Sequence, residues 1–162
     1  MAADISRVAP AAEPELVIAR VFNAPRLLVF KAWTARERAA CWWGPKDFTT
    51  ISCRMDVRPG GTWRRVMRSP QCTVLVKSGV YREISEPERL VFTYCDESDA
   101  GDPGPETLVT VTFAEHGEQT RLVLRQTGFA STSARDSHGD GWTGCMERFA
   151  EFLAKWRIKG DG

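Results

Sequence analysis

The fold of this chain is decided by one segment near its C-terminus, GWTGCMERFAEFLAKW at residues 141–156. Within it the large apolar side chains recur at steps of four, three, four and three: Trp142, Met146, Phe149, Leu153 and Trp156. That spacing places them on one face of a helix, which we predict to run from about residue 133 to about residue 158. So wide an apolar face must be buried, and the residues before this helix have to supply the surface that covers it.

The residues upstream of this helix alternate as strands do and are separated by turn signals. The pattern predicts strands at residues 16–22, 48–57, 62–68, 73–85, 89–97, 107–113 and 120–127. Two short helices are predicted at residues 25–34 and 35–41, between the first and second strands. The connections after residue 48 are short, so these six strands should form an antiparallel meander, with the first strand at an edge and Gly79 as a candidate bulge. The result is an α+β domain whose curved sheet packs on the C-terminal helix.

The chain has the length and composition of one globular domain. It has 162 residues, of which 43% are apolar and 27% charged, and these values exclude a disordered or low-complexity protein. We expect a single domain at residues 14–158, between a flexible tail at 1–13 and a C-terminal tail at 159–162. A formal net charge of +1 provides no field that would attract nucleic acid, which is therefore not an expected partner.

Membrane and metal-binding signals are missing from the sequence. No apolar run is long enough for a membrane helix, and residues 1–13 lack the apolar core of a signal peptide. The five cysteines are odd in number and include no Cys-x-x-Cys pair: Cys41, Cys53, Cys72, Cys95 and Cys145. We therefore expect a cytoplasmic protein with reduced thiols, no disulfide, no metal and no cofactor.

Six short segments, taken in order, resemble one known family. They are Trp42-Trp43-Gly44-Pro45, Arg58-Pro59-Gly60-Gly61, Gly79-Val80-Tyr81-x-Glu83-Ile84, Leu90-Val91-Phe92-Thr93, Thr110-Val111-Thr112-Phe113 and Gly141-Trp142. Together they resemble the activator of heat-shock protein ninety ATPase homologue branch of the SRPBCC, or START-like, superfamily, over residues 15–156. The resemblance implies a helix-grip fold, in which a curved seven-stranded antiparallel sheet wraps around the long C-terminal helix. It also implies an elongated cavity between sheet and helix, which superfamily members use to hold lipids, sterols, polyketides or other apolar molecules.

A cavity of this kind would be lined by aromatic and apolar side chains with a few polar groups. We expect the lining to come from the inward faces of the strands, from the C-terminal helix and from the segment after the second helix. The candidate ligand-binding residues are Trp43, Trp63, Arg65, Met67, Tyr81, Phe92, Tyr94, Phe113, Trp142, Met146 and Phe149. The sequence contains no recognisable catalytic motif, so it identifies no catalytic residue.

Arg65 differs in character from the other candidates. Alternation along its strand puts it on the same face as Trp63 and Met67, while the opposite face is mostly charged. An inward guanidinium is costly unless it finds an acidic side chain, a water-filled cavity or an anionic ligand such as an amphipathic acid. The alternative is a strand end or bulge that lets Arg65 extend to the rim of the sheet.

Two further polar features are expected to face solvent. His116 falls in a hairpin turn and His138 in a Gly-, Asp- and Ser-rich stretch, so both histidines are expected to be exposed. Seven basic residues lie between Arg54 and Arg82, against the single acid Asp56. Their outward members would form a basic stripe, which is either a solvated sheet face or a weak binding surface for nucleic acid, a membrane or an acidic protein.

The sequence favours a binding module that holds a small hydrophobic or amphipathic molecule in this cavity. Two alternatives remain open: an enzyme acting on such a molecule in the same cavity, and an interaction module for a chaperone or another protein. For the enzyme, the polar candidates on strands are Arg65, Tyr81, Glu83 and Tyr94. A sizeable cavity would argue against the interaction module, and a buried, mutually bonded set of polar groups would favour the enzyme. The sequence is compatible with a monomer and with a homodimer.

Overall fold

A computed structural model describes residues 14–98 and 100–160 of the chain. Within these residues it contains seven strands and three helices. The strands are β1 (Glu15–Phe22), β2 (Thr49–Met55), β3 (Thr62–Arg68), β4 (Val74–Ser85), β5 (Arg89–Asp96), β6 (Thr107–His116) and β7 (Gln119–Thr127). The helices are α1 (Arg26–Thr34), α2 (Arg36–Trp42) and α3 (Thr132–Gly160).

The seven strands form one antiparallel sheet in the order β1-β7-β6-β5-β4-β3-β2. Strands β2 to β7 follow one another as a meander because their connections are too short to cross the sheet. β1 forms the other edge by pairing with β7, from Glu15 opposite Thr127 to Phe22 opposite Thr120. The predicted α+β helix-grip fold is therefore confirmed, including the two short helices between β1 and β2.

The pairing of β4 with β5 is irregular, and Gly79 is where the two backbones come close. A Cβ at position 79 would lie 1.8 Å from Thr93 O and 2.6 Å from Trp63 Nε1. The Trp63 indole uses this space to donate to Thr93 O at 3.2 Å. The register shift falls between Tyr81 and Glu83, so the expected bulge at Gly79 is wrong, and glycine serves a close backbone approach instead.

Helix α3 packs its predicted apolar face against the sheet. Trp142, Met146, Phe149 and Leu153 are buried on that face, whereas Trp156 is only half-buried. Burying a large apolar side chain contributes about 1.5–3 kcal/mol. This face therefore keeps α3 on the sheet even though the first half of the helix contains several glycines.

The aromatic core is centred on Trp33 of α1, which is fully buried. Its ring centroid lies 4.9 Å from that of Trp42, 5.3 Å from that of Trp43 and 6.0 Å from that of Trp142. Such edge-on and offset contacts stabilise aromatic pairs beyond their burial. The cluster joins all three helices into one layer over the sheet.

The predicted tails fall mostly outside the described residues. Residues 1–13 and 161–162 lie outside them, whereas residues 159–160 belong to the last turn of α3. Among the helices that the structure describes, none combines the length and the hydropathy needed to cross a membrane.

Candidate functional site

A cavity of about 340 Å³ lies between helix α3 and the strands β3, β4 and β5. It is lined by Trp43, Gly44, Pro45, Met67, Leu75, Lys77, Tyr94, Asp96, Ser137, His138, Gly141, Trp142 and Cys145. Most of the wall is aromatic or apolar, and a few polar groups are available to orient a bound molecule.

Periodicity explains which side chains point into the cavity. Met67 on β3 and Tyr94 on β5 belong to the buried, inward set of their strands, which faces α3. On α3, His138, Trp142 and Cys145 follow one another at steps of four and three residues and therefore share one face. The sheet and the helix thus contribute opposite walls.

The loop after α2 forms a third wall and is fastened to α3. Gly44 has a φ of +120°, and a Cβ there would lie 2.6 Å from Met67 Sδ, so the turn requires glycine. Arg148 Nη1 donates to the carbonyls of Gly44 and Pro45 at 3.2 and 3.0 Å. The Gly44 N–H donates to Cys145 Sγ at 3.4 Å. These contacts hold the loop at a set distance from the helix.

Lys77, Asp96 and His138 form a charged cluster at one end of the cavity, which we call the polar end. Lys77 Nζ donates to Asp96 Oδ1, and Asp96 Oδ2 lies 3.5 Å from His138 Nε2. The hydrogen bonds from His138 and Lys77 lower the pKa of Asp96 from 3.8 to about 2, although partial burial acts in the opposite direction. The carboxylate is therefore ionised at neutral pH. Half of its side chain is exposed, so the polar end lies at the mouth of the cavity.

The position of His138 differs from the sequence expectation. The residue lies in the second turn of α3, and its side chain is only 16% exposed. Its ring centroid lies 5.6 Å from that of Tyr94 and 5.2 Å from that of Phe129. The predicted exposure is wrong for His138 because it lies four residues before Trp142 on the face of α3 that is turned toward the sheet. The prediction is confirmed for His116, which is exposed at the β6–β7 turn.

A buried glutamine connects the polar end to the aromatic wall. Gln126 on β7 is fully buried, and its Oε1 accepts from Trp142 Nε1 at 2.9 Å. Its Nε2 donates to Thr107 Oγ1 at 2.8 Å and lies 3.4 Å from His138 Nδ1. Gln126 is absent from the predicted site, although a signal was present: it alternates with two leucines on the inward face of β7.

A family model matches most of the sequence. Residues 23–154 match the model described as activator of Hsp90 ATPase homolog 1-like protein. The chain belongs to the activator of Hsp90 ATPase homolog 1-like (AHSA1-like) family. Among curated proteins, none shows significant similarity to this AHSA1-like chain.

Solved structures share the AHSA1-like fold. A protein from Nitrosomonas europaea is 24% identical, with 92% of this chain and 99% of that chain covered and a TM-score of 0.76. The AHSA1 protein from Silicibacter pomeroyi is 24% identical, with coverages of 86% and 97% and a TM-score of 0.78. A protein from Arthrobacter aurescens is 21% identical, with coverages of 91% and 90% and a TM-score of 0.79. At these identities the similarity establishes the fold alone.

The AHSA1-like fold distributes the predicted site residues over three places. The cavity is lined by Trp43, Met67, Tyr94 and Trp142. A separate narrow void has no room for a water molecule. The predicted residues around it are Trp63, Arg65, Tyr81 and Phe92, together with Trp43, which also lines the cavity. The remaining candidates are buried in the core: Phe113, Met146 and Phe149. Trp43 is thus the residue that borders both spaces.

Arg65 is 1% exposed, so the interpretation that it extends to the rim is wrong. Its strand lies between β2 and β4, and its guanidinium stacks on the Trp43 ring, 4.2 Å from the centroid. Nη1 donates to Cys53 Sγ at 2.9 Å and Nη2 to Met55 Sδ at 3.3 Å. Among the described residues Nε has no hydrogen-bond partner, and the ionisable groups that interact with the guanidinium are cysteines and tyrosines. Burial lowers the pKa of Arg65 below its ordinary value.

Two of the seven basic residues between Arg54 and Arg82 do not belong to the outward face of the sheet. Arg65 and Lys77 point inward, and Lys77 pairs with Asp96. On the outer face Arg64 Nε pairs with Glu97 Oε2 at 3.1 Å, and this contact raises the pKa of Arg64 and lowers that of Glu97. Asp96 and Glu97 thus lie beside the basic strands and compensate part of their charge.

Proposed function

We propose that this chain binds a small amphipathic molecule in the cavity between α3 and the sheet. The observation that carries the proposal is the cavity itself, about 340 Å³ in volume, with aromatic walls and one polar end. Ligand pockets commonly measure about 300–1,000 Å³ and combine apolar walls with a few polar groups. The volume of this cavity lies at the lower end of that range, which favours a ligand with one ring or two fused rings over a sterol. Membership in a family whose fold often holds hydrophobic ligands supports the same conclusion.

Gly141 keeps the cavity open on the helix side. It lies within α3, and a Cβ at this position would meet no described atom within 4 Å. Glycine in a helix interior costs about 1 kcal/mol relative to alanine. A protein that needed only a filled core would gain stability from a larger side chain here. The open space therefore favours ligand binding over a module whose only role is to contact another protein.

An enzyme receives less support from the polar groups. Tyr94 lines the cavity, but the candidate Glu83 pairs with Arg89 at 3.2 Å and is not part of the lining. The bonded set around Asp96 is an arrangement that an enzyme could use. However, both ring nitrogens of His138 face protein groups, so the ring presents no free nitrogen to a bound molecule. Binding is the function that this geometry favours.

The test fills the cavity with a large side chain at position 141, where helix α3 has space for one. Gly141→Phe should occupy the open space and abolish binding of naphthol, a neutral two-ring probe, in calorimetric titration. Gly141→Ala is the matched control, because it adds a Cβ at the same helix position without filling the cavity, and it should retain binding. Unchanged naphthol affinity in Gly141→Phe, or no binding to the parent chain, would contradict the proposal.

A further inference from the structure

The hydrogen bonds at the polar end determine the charge that it presents to a ligand. Lys77 and Asp96 are the formally charged side chains among the described residues that line the cavity. Tyr94 and Cys145 also line it, and burial raises the pKa of both groups, to about 12 for the Cys145 thiol, so they stay neutral. The net charge therefore depends on whether the ring of His138 carries one proton or two.

The amide of Gln126 can take only one orientation. The indole N–H of Trp142 is a donor, so the amide atom that it contacts at 2.9 Å must be the oxygen Oε1. On the other side, the Thr107 hydroxyl donates to the Tyr94 carbonyl at 2.7 Å and therefore accepts from Gln126 Nε2 at 2.8 Å. Two independent contacts thus place the amide nitrogen on the side of the histidine.

This orientation leaves a second ring proton on His138 without an acceptor on the Gln126 side. Gln126 Nε2 is a donor, so His138 Nδ1, 3.4 Å away, is an acceptor and holds no proton. The single ring proton therefore lies on Nε2, which faces Asp96 Oδ2 at 3.5 Å. In a doubly protonated ring, the N–H at Nδ1 would face the N–H of Gln126 Nε2. Two donors would then meet without an acceptor beside a fully buried amide, which is unfavourable.

We infer that the cavity binds an uncharged molecule that carries a hydroxyl group, in preference to the matching acid or amine. The Lys77 ammonium and the Asp96 carboxylate cancel, and His138 adds no charge. A ligand hydroxyl accepts from a remaining N–H of Lys77 and donates to Asp96 at the same time, whereas a carboxylate can only accept and an ammonium can only donate. Its aromatic body lies against Trp43 and Trp142. The inference rests on the proposed function and names the class of ligand for the same cavity.

The ion pair at the polar end sets the size of the expected preference. An acid analogue would bring a second carboxylate to Asp96, and an amine would bring a second ammonium to Lys77. Because Asp96 is 50% exposed, solvent screens these repulsions, and we expect a difference of about fivefold in affinity rather than complete exclusion. Neutralising either partner leaves the other uncompensated and should therefore change the preferred ligand.

The experiment compares three probes that share the naphthalene ring: naphthol, naphthoate and naphthylmethylammonium. Calorimetric titration of the parent chain at neutral pH should show the tightest binding for naphthol, by about fivefold. Asp96→Asn should reverse the order of naphthol and naphthoate, and Lys77→Met should make the ammonium probe the tightest. Glu83→Gln removes a carboxylate that does not line the cavity, and this charge-matched control for Asp96→Asn should keep the parent's order.

The outcomes separate this inference from the proposed function. Tightest binding of either ion by the parent chain, or an unchanged order in both variants, would overturn the inference. If the inference fails in this way, loss of all probe binding in Gly141→Phe would still support the proposed function, which is binding in the cavity. Absence of binding for all three probes would overturn both proposals. Thermal unfolding checks the fold of each variant, and Lys77→Met provides an independent measurement if Asp96→Asn does not fold.

Discussion

At the scale of single residues, the guanidinium of Arg65 is fully buried and faces two sulfur atoms and an indole ring instead of a carboxylate. Sulfur is a weak hydrogen-bond acceptor, and the Nε atom has no partner among the described residues. These contacts offset little of the cost of removing a charge from water. The surrounding packing therefore holds Arg65 in place, and the charge itself contributes little to stability.

Replacing this charge by an apolar side chain of similar length tests that conclusion. Arg65→Met should leave the free energy of unfolding unchanged or raise it by about 1–2 kcal/mol, because packing is kept and the buried charge is removed. Arg65→Ala is the control for lost volume and should lower the free energy of unfolding by about 2–4 kcal/mol. Urea unfolding measures both variants. A loss in Arg65→Met as large as that in Arg65→Ala would show that the guanidinium itself is stabilising.

The lowered pKa of Asp96 predicts that this residue stabilises the fold at neutral pH and no longer does so in acid. Its pKa is lowered from 3.8 to about 2 in the folded chain, so the unfolded chain binds the proton more readily. The contribution is present above about pH 4 and is lost as the pH falls toward about 2. Because half of the side chain is exposed, we expect about 1 kcal/mol. In urea unfolding across this range, the parent chain should lose stability more steeply than Asp96→Asn, and parallel profiles would count against the ion-paired cluster.

At the scale of elements, helix α3 has two halves with different roles. Its first half contains Gly139, Gly141 and Gly144 and borders the cavity, whereas its second half buries Phe149 and Leu153 in the core. Small residues leave space, and large apolar residues supply the burial that keeps the helix docked. One amphipathic helix therefore both anchors the fold and leaves the cavity open.

The close approach of β4 and β5 gives a prediction at the same scale. Gly79→Ala should lower the free energy of unfolding by more than about 2 kcal/mol, because its Cβ would overlap the Thr93 carbonyl, and backbone cannot move aside easily. Gly141→Ala adds the same methyl group in open space and should instead raise stability by about 0.5–1 kcal/mol. Chemical denaturation of the pair measures the difference. Similar stabilities for the two variants would mean that the strands separate without cost at Gly79.

At the scale of the whole molecule, the fold depends on one continuous aromatic and aliphatic core under the helices. The five cysteines are unpaired, and the described residues contain no group of three or more side chains placed to hold a metal ion. A domain of about this length buries roughly 70% of its unfolded surface, which is sufficient for stability without a crosslink.

We accordingly expect thermal stability to be independent of crosslinks and metals. Addition of a thiol reductant, or of a chelator, should leave the melting temperature of the parent chain unchanged within measurement error. Differential scanning calorimetry of the same preparation with and without each reagent is the measurement. A drop of several degrees with the reductant would reveal a disulfide, and the same drop with the chelator would reveal a bound metal.

Local patterns were sufficient for the order of the elements and for the faces that they bury. The strand order follows from short connections, and the inward placement of Trp63, Arg65 and Met67 follows from alternation within a single strand. The buried face of α3 follows from steps of three and four residues. Each of these features depends on neighbours within a few positions along the chain, which is the range over which a sequence pattern can be read directly.

Tertiary structure alone decided which inward side chains meet. Lys77, Asp96, Gln126 and His138 come from β4, β5, β7 and α3, and their contacts depend on strand register and on how α3 is placed against the sheet. The same geometry placed Arg65 beside a narrow void and not in the cavity. Register and helix position result from the packing of the whole core, summed over many weak contacts between residues distant in sequence. No local period encodes that sum, so the buried faces were predictable and four cavity residues on them were found, Trp43, Met67, Tyr94 and Trp142, whereas the polar end was not.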